Sequence, residues 1–309
     1  MPNLFVATGG PQWGDPENYK FTIGGAGNYW TEAALWAEWL QTEHPDLTSI
    51  ATVTLNNDFG HVYLEALPAA IEGTPLKIVG AEVHEPTAPN LDNQLTSLTA
   101  TNADVLIIES AAAFCTQALA AMERQTAWKP LIILSAACGS PTNIFQPLID
   151  QGLTGDGAVF ETYYKDVNDP AMQSDPAVVE YQKALTAQGL DPHNTSYALG
   201  WLYAWSTVET LERAATFQGG LDRGNIMLAA RALNGNNPMF YPGITTYTDG
   251  LKDGYTAEGG QMVQYTVTDR SKLGTLVPVG TLQNLEGQLG TYATVEQASN
   301  APTGTTTTS

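Results

Sequence analysis

Basic residues are scarce in this chain: 12 lysines and arginines stand against 32 aspartates and glutamates, a formal net charge of −20 over 309 residues. A surface of that sign repels phosphate backbones and argues against a nucleic-acid partner. Long apolar runs are missing too. No stretch approaches the ~20 residues of a membrane-spanning helix, and no basic, apolar leader marks a secretory signal. Cysteine is limited to Cys115 and Cys138, in a spacing that fits no metal site. The histidines (His44, His61, His84 and His193) are scattered beside Pro, Asp, Glu or Gly and read as surface or loop residues. There is no G-x-S-x-G, no phosphate-binding glycine loop and no cluster of metal ligands. Neither a catalytic residue nor a metal nor any other cofactor is therefore expected.

What is present is the composition of a globular protein, 43% hydrophobic and 14% charged, with enough chain for two ordinary domains or one large one. From Trp30 to Thr162 helix and strand patterns alternate. Ala33, Trp36, Ala37 and Leu40 share one face of a helix over 30–42. A β-branched strand follows over 49–55, then a helix with Phe59, Tyr63, Ala66, Leu67 and Ala70 in register, which Pro68 is expected to kink. Strands over 76–83, 104–108, 131–134 and 158–162 alternate with helices over 90–101, 113–125 and 142–150. Five strands spaced about 25 residues apart predict a parallel, doubly wound α/β sheet with helices on both faces.

After Tyr164 the texture changes. An Asp- and Pro-rich loop leads into helices over 177–188, 197–215 and 225–232, and short strands and turns follow Pro238. The helix "YALGWLYAWSTVETLERAA" is apolar nearly all round at its start and reads as buried. A helical cluster without strands needs a sheet to pack on. Two short apolar runs near the start, Leu4–Val6 and Phe21–Ile23, each stop at glycines like buried strands. They are the natural partner, so the two ends of the pattern are expected to meet while the middle forms a separate lobe. The closing "NAPTGTTTTS" is low in complexity and reads as disordered.

"PNLFVATGGPQWGDPENYKFTIG", "NNDFGHVYLEAL", "NADVLIIESAAAFCTQALAAM", "AWKPLIILSA" and "TYYKDVNDPA" occur in that order. Together they resemble the branched-chain amino-acid type of ABC-transporter substrate-binding protein, over about residues 2 to 285. The resemblance implies a type I periplasmic-binding fold, two doubly wound lobes joined by three crossings and closing on a small ligand. It places residues 1–24 and 167–258 in an N-terminal lobe, 25–166 and 259–290 in a C-terminal lobe, and 291–309 in a disordered tail. About a hundred family residues would precede Met1, so the first lobe is expected to be incomplete. The implied function is ligand capture outside the cytoplasm, in the periplasm or on a cell-surface lipoprotein, with delivery to ABC permease subunits. The same fold also serves as the ligand domain of receptors and regulators.

Carried onto this sequence, the family's ligand positions fall at strand ends and helix starts, where free N–H groups and the helix dipole suit anionic and carbonyl groups. They are Thr8, Gly9, Gly10 and Trp13 from the first lobe, Tyr29 past the first crossing, and Asp58 and Phe59. Further along come Glu109, Ser110 and Ala111, Ser135 and Ala136, and Tyr163 before the second crossing. Tyr29 reads equally as a hinge aromatic, and Asp58 as a helix N-cap. The amino-acid binders carry a tyrosine near the place of Ala111 and an acid near that of Ala136. With small residues at both, a buried ammonium lacks a partner unless Glu109 or Asp58 takes its charge. An amide, aromatic or carboxylate ligand is therefore expected ahead of a plain amino acid. Cys115 and Cys138 both fall at the carboxyl edge of neighbouring strands, where they form either a bridge or two buried thiols; their even number and shared edge favour the bridge.

Overall fold

The computed structural model describes residues 1–250 and 252–288. In chain order its strands and helices are β1 (Asn3–Val6), β2 (Thr22–Gly24), α1 (Tyr29–Glu43), β3 (Ser49–Leu55), α2 (Asp58–Ile71), β4 (Lys77–His84), α3 (Asp92–Thr99) and β5 (Val105–Glu109). Next come α4 (Ala113–Arg124), β6 (Leu131–Leu134), α5 (Gln146–Ile149), β7 (Val159–Thr162), α6 (Pro176–Ala187), α7 (Thr195–Ala215) and α8 (Arg223–Ala230). The chain continues through β8 (Asn234–Gly235), β9 (Thr246–Tyr247), β10 (Gly259–Thr266), β11 (Thr275–Pro278) and β12 (Gln283–Asn284).

Eight strands form one sheet in the order β11-β10-β7-β6-β5-β3-β4, with β12 on the end of β10. Strands β3 to β7 run parallel, and β10 returns antiparallel to β7, pairing Gln261 with Thr162. β3 and β5 are almost wholly buried because helices cover both faces. Trp36, Leu40, Tyr63, Leu67, Ile107 and Ile133 fill one side; Leu106, Ile108, Leu119, Leu134 and Phe145 fill the other. β4, at the edge, alternates exposed and half-buried residues instead. Cys115 and Cys138 lie at the carboxyl ends of this sheet, fully buried and bridged, with their Cα atoms 5.5 Å apart.

β1 and β2 form a separate parallel pair. Phe5 and Ile23 pack on Met227, Ala230 and Leu233, so the orphan strands and the helical cluster do share a core. Arg231 fixes this junction by donating to the carbonyls of Tyr19 (3.1 Å) and Thr22 (3.2 Å). The chain passes between this unit and the large sheet three times: after β2, after β7 and before β10.

Several expectations need correction. α7 is not buried all round: Ala198 and Leu202 face inward, whereas Tyr197 is 40% exposed, because only one side has a packing partner. The helix expected over 142–150 is a wide π-helical turn over Pro141–Phe145 followed by α5, since Pro147 offers no N–H to continue a regular ladder. Asp104 does not belong to β5. Its Oδ2 instead accepts from the amides of Thr48 (3.0 Å) and Ser49 (2.9 Å) and from the Ser49 hydroxyl (2.6 Å). His84 is no surface residue: it is 1% exposed at the end of β4, with Nε2 2.9 Å from the Ser110 Oγ. The tail over 291–309, like residues 289–290 of the expected C-terminal lobe, lies outside the described residues.

Candidate functional site

Parallel strands deliver their carboxyl ends to one edge, and a cavity of about 160 Å3 opens where that edge meets the β1–β2 unit. On the small-unit side it is lined by Ala7, Thr8 and Gly9, and on the large side by Tyr29, Glu32, Ala136 and Glu161. Tyr163, Tyr164 and Tyr203 close a third wall. A volume of that order admits roughly ten water-sized groups, the scale of a small amino acid. A wider hollow of about 600 Å3 lies among side chains of α3 and α4 and shares none of these residues.

Tyr29 is the pivot between the walls. Its amide donates to the Gly9 carbonyl at 3.0 Å, and its hydroxyl lies 3.0 Å from the Thr8 Oγ1. Gly9 is required there because a Cβ would fall 2.1 Å from the Gly27 carbonyl oxygen and 2.8 Å from the Tyr29 ring. Behind Tyr29, the rings of Phe59 and Tyr63 stand 5.0 and 5.1 Å away, and Tyr63 stacks on Trp36.

The acids decide the chemistry. Glu32 is 3% exposed in the first turn of α1, where both oxygens are engaged: Oε2 accepts from the Tyr63 hydroxyl at 2.7 Å and Oε1 from the Ala136 amide at 2.5 Å. Burial pushes its carboxyl up to about 7 despite these two donors. Glu161, 4% exposed on β7, also lines the cavity, but its Oε2 has no hydrogen-bond donor among the described residues. Burial, then the nearby Glu32 charge, raises it well above the usual carboxylate range. Among the described residues Lys165 is the one cationic side chain along the cavity, and its ammonium is already held by Asp175 at 2.6 Å and the Pro238 carbonyl at 2.9 Å.

The structure brings Thr8, Gly9, Tyr29, Ala136 and Tyr163 of the expected site to this cavity. Gly10 and Trp13 line a tight crevice next to it, with Thr8 and Gly9. The others are not on its walls. Phe59 supports Tyr29 from behind. Asp58 is exposed, and the N-cap of α2 is its neighbour Asn57, whose Oδ1 accepts from Gly60. Glu109, Ser110 and Ser135 are buried beneath the strand ends, and Ala111 lies in the loop after β5. Glu109 takes the Thr54 hydroxyl at 2.5 Å, and burial lifts it to about 8. Ser135 donates to the Ser110 carbonyl at 2.8 Å.

Two buried acids that the sequence reading did not single out, Glu161 and Glu32, thus stand on the cavity wall. The acids come from β7 and α1, not from the loops after β5 and β6. Both left a signal in the sequence. Glu161 interrupts the apolar run "AVFET", and Glu32 lies one helical turn before Trp36, on the buried face.

With this geometry in view, the comparisons with known proteins define the class. A family model described as periplasmic binding protein matches residues 3–269. The chain belongs to that family, whose type I fold accounts for its mainly parallel sheet. Among solved structures, a branched-chain amino-acid ABC transporter protein from Thermus thermophilus with bound valine superposes with a TM-score of 0.71 at 18% identity, covering 90% of this chain and 71% of that one. A substrate-binding periplasmic protein from Ralstonia solanacearum gives 0.71 at 14% identity over 90% and 73%. A fatty acid ABC transporter substrate-binding protein from Thermomonospora curvata gives 0.69 at 18% identity over 89% and 68%. No sequence among the curated proteins matches the chain.

Proposed function

We propose that this chain is the solute-binding component of an ABC importer, working outside the cytoplasm and presenting its ligand to permease subunits. It captures a small amine-bearing solute between a lobe of residues 1–24 and 167–258 and a lobe of 25–166 and 259–290. The observation that carries this reading is the buried Glu161 side chain, which lines the cavity and has a carboxyl oxygen, itself out of solvent contact, without a donor among the described residues. Such an oxygen is costly unless a ligand donates to it. The ligand's amine is that donor, and ion pairing in a buried site draws Glu161 into its charged form. Tyr29 and Tyr163 supply apolar faces for its side chain. Thr8 and Gly9 close over it from the small lobe, with Ala136 leaving room.

Titration calorimetry with three probes of one shape tests the reading: valine, valinamide and isovalerate. The amine-bearing pair is expected to bind, and the carboxylate-only probe to give no heat. Isovalerate binding as tightly as valinamide would overturn the assignment of Glu161.

A further inference from the structure

A second acidic group stands away from the cavity, where the chain makes its last crossing. Asp253 lies in the loop after β9, Glu258 immediately before β10, and Glu286 two residues after β12. One ligand-capable oxygen from each lies within 4.8 Å of the others. Three carboxylates so close repel one another, and no lysine or arginine pairs with any of them among the described residues. Lys252, the nearest in sequence, reaches out to Asp249 instead.

The hydrogen bonding leaves this group unfinished. Glu258 is 1% exposed; its Oε2 accepts the Gly287 amide at 2.9 Å, but its Oε1 meets no donor among the described residues. Glu286 is half-buried: its Oε2 is 3.5 Å from the Thr245 hydroxyl, its carboxyl shares a hydrogen bond with Asp253, and its Oε1 has no other donor among the described residues. Asp253, 7% exposed, takes the Tyr255 amide at 3.1 Å. The Glu258 Oε1, buried without a donor beside two further carboxyl groups, calls for a cation.

We propose that Asp253, Glu258 and Glu286 form a calcium site that ties the third crossing to the returning end of the chain. All three donors are hard oxygens, which excludes the softer ions that histidine and cysteine select. Carboxylates from two separate segments, the β9–β10 connection and the chain after β12, suit the flexible, high-coordination shell of calcium better than the rigid, water-rich octahedron of magnesium. The position gives the ion a task. β12 pairs with Gly259 and Gly260 at the start of β10, and the Leu285 amide donates to the Glu258 carbonyl at 2.8 Å. An ion bound to Glu286 and Glu258 would clamp this strand pair at the hinge and make the crossing stiffer.

The test uses the full chain, freed of metal with EDTA and returned to chelator-free buffer. Calcium chloride is expected to raise the melting temperature by several degrees, saturating by about 10 mM, with one ion bound per chain by calorimetry. Magnesium is expected to do markedly less. Glu258→Gln should abolish the calcium response; Glu286→Gln serves the same purpose if the first variant does not fold. No calcium response, or responses in both variants equal to that of the unaltered chain, would overturn the site. A magnesium response equal to that of calcium would overturn the choice of ion.

Discussion

Glu32 and Ala136 are 104 residues apart in sequence, yet the carboxylate of one accepts the amide hydrogen of the other at 2.5 Å. That bond holds the loop after β6 against the start of α1. With the Tyr63 hydroxyl on its other oxygen, Glu32 is fully engaged in structure. The neighbouring Glu161 is left as the acid with capacity to spare.

Replacing Glu161 by glutamine should therefore weaken binding of an amine-bearing probe such as valinamide by ~10- to 100-fold. That is the scale of one hydrogen bond to a charged group, ~1.5–3 kcal/mol. Because the carboxylate must ionise to pair with the amine, affinity in the unaltered chain should rise as the pH is raised above the ordinary carboxylate range, for as long as the amine stays protonated. Glu161→Gln should show no such rise. Calorimetry at several pH values reads both effects, and a variant that binds as well as the parent would count against the role.

Glu109 predicts a pH dependence of stability in the ligand-free protein. Its folded-state value is raised by burial to about 8, so the folded state holds a proton that the unfolded state has released. The stabilisation is complete below the unfolded value near 4.5 and is lost as the pH rises through about 8. Glu109→Gln keeps an acceptor for Thr54 and removes the titration. It should match the parent at pH 5 and melt higher at pH 8, by on the order of 5 °C. Thermal melts across that range decide the matter, and a constant difference would exclude Glu109 as the cause.

The disulfide between Cys115 and Cys138 closes a 23-residue separation. On the loop-entropy model a closure of that length contributes ~3 kcal/mol. Denatured, unreduced protein should show no free thiol, and the double alanine variant should unfold at lower denaturant with its dependence on denaturant little changed. Two titratable thiols in the unreduced protein would contradict the bridge.

Gly9→Ala should be costly although the side chain gained is one methyl group. Its Cβ would meet the Gly27 carbonyl and the Tyr29 ring, so the hinge backbone or the ring must shift. A loss of ~1–3 kcal/mol is expected, together with weaker ligand binding. Wild-type stability and affinity in this variant would show that the hinge is looser than its contacts imply.

The alternating pattern from Trp30 to Thr162 was enough to define a parallel α/β sheet, because periodicity and β-branched runs are local properties of the chain. β3, over Ser49–Leu55, was legible to the residue. The glycine pair after β1 and the cysteines at two strand ends were legible for the same reason: βαβ geometry sends those ends to one edge. The pairing of β10 with β7 and the packing of Phe5 on Met227 depend on contacts across most of the chain. The sequence supplied the pieces there, and only the fold their partners. The chemistry of the cavity was hidden most deeply. Whether a glutamate is a solvated surface charge or a buried acid depends on what covers it and which donors reach it. Glu32, Glu161 and Glu109 look alike in sequence. Tertiary structure alone gives the first two donors, leaves the second an oxygen without one, and buries the third beneath the strand ends.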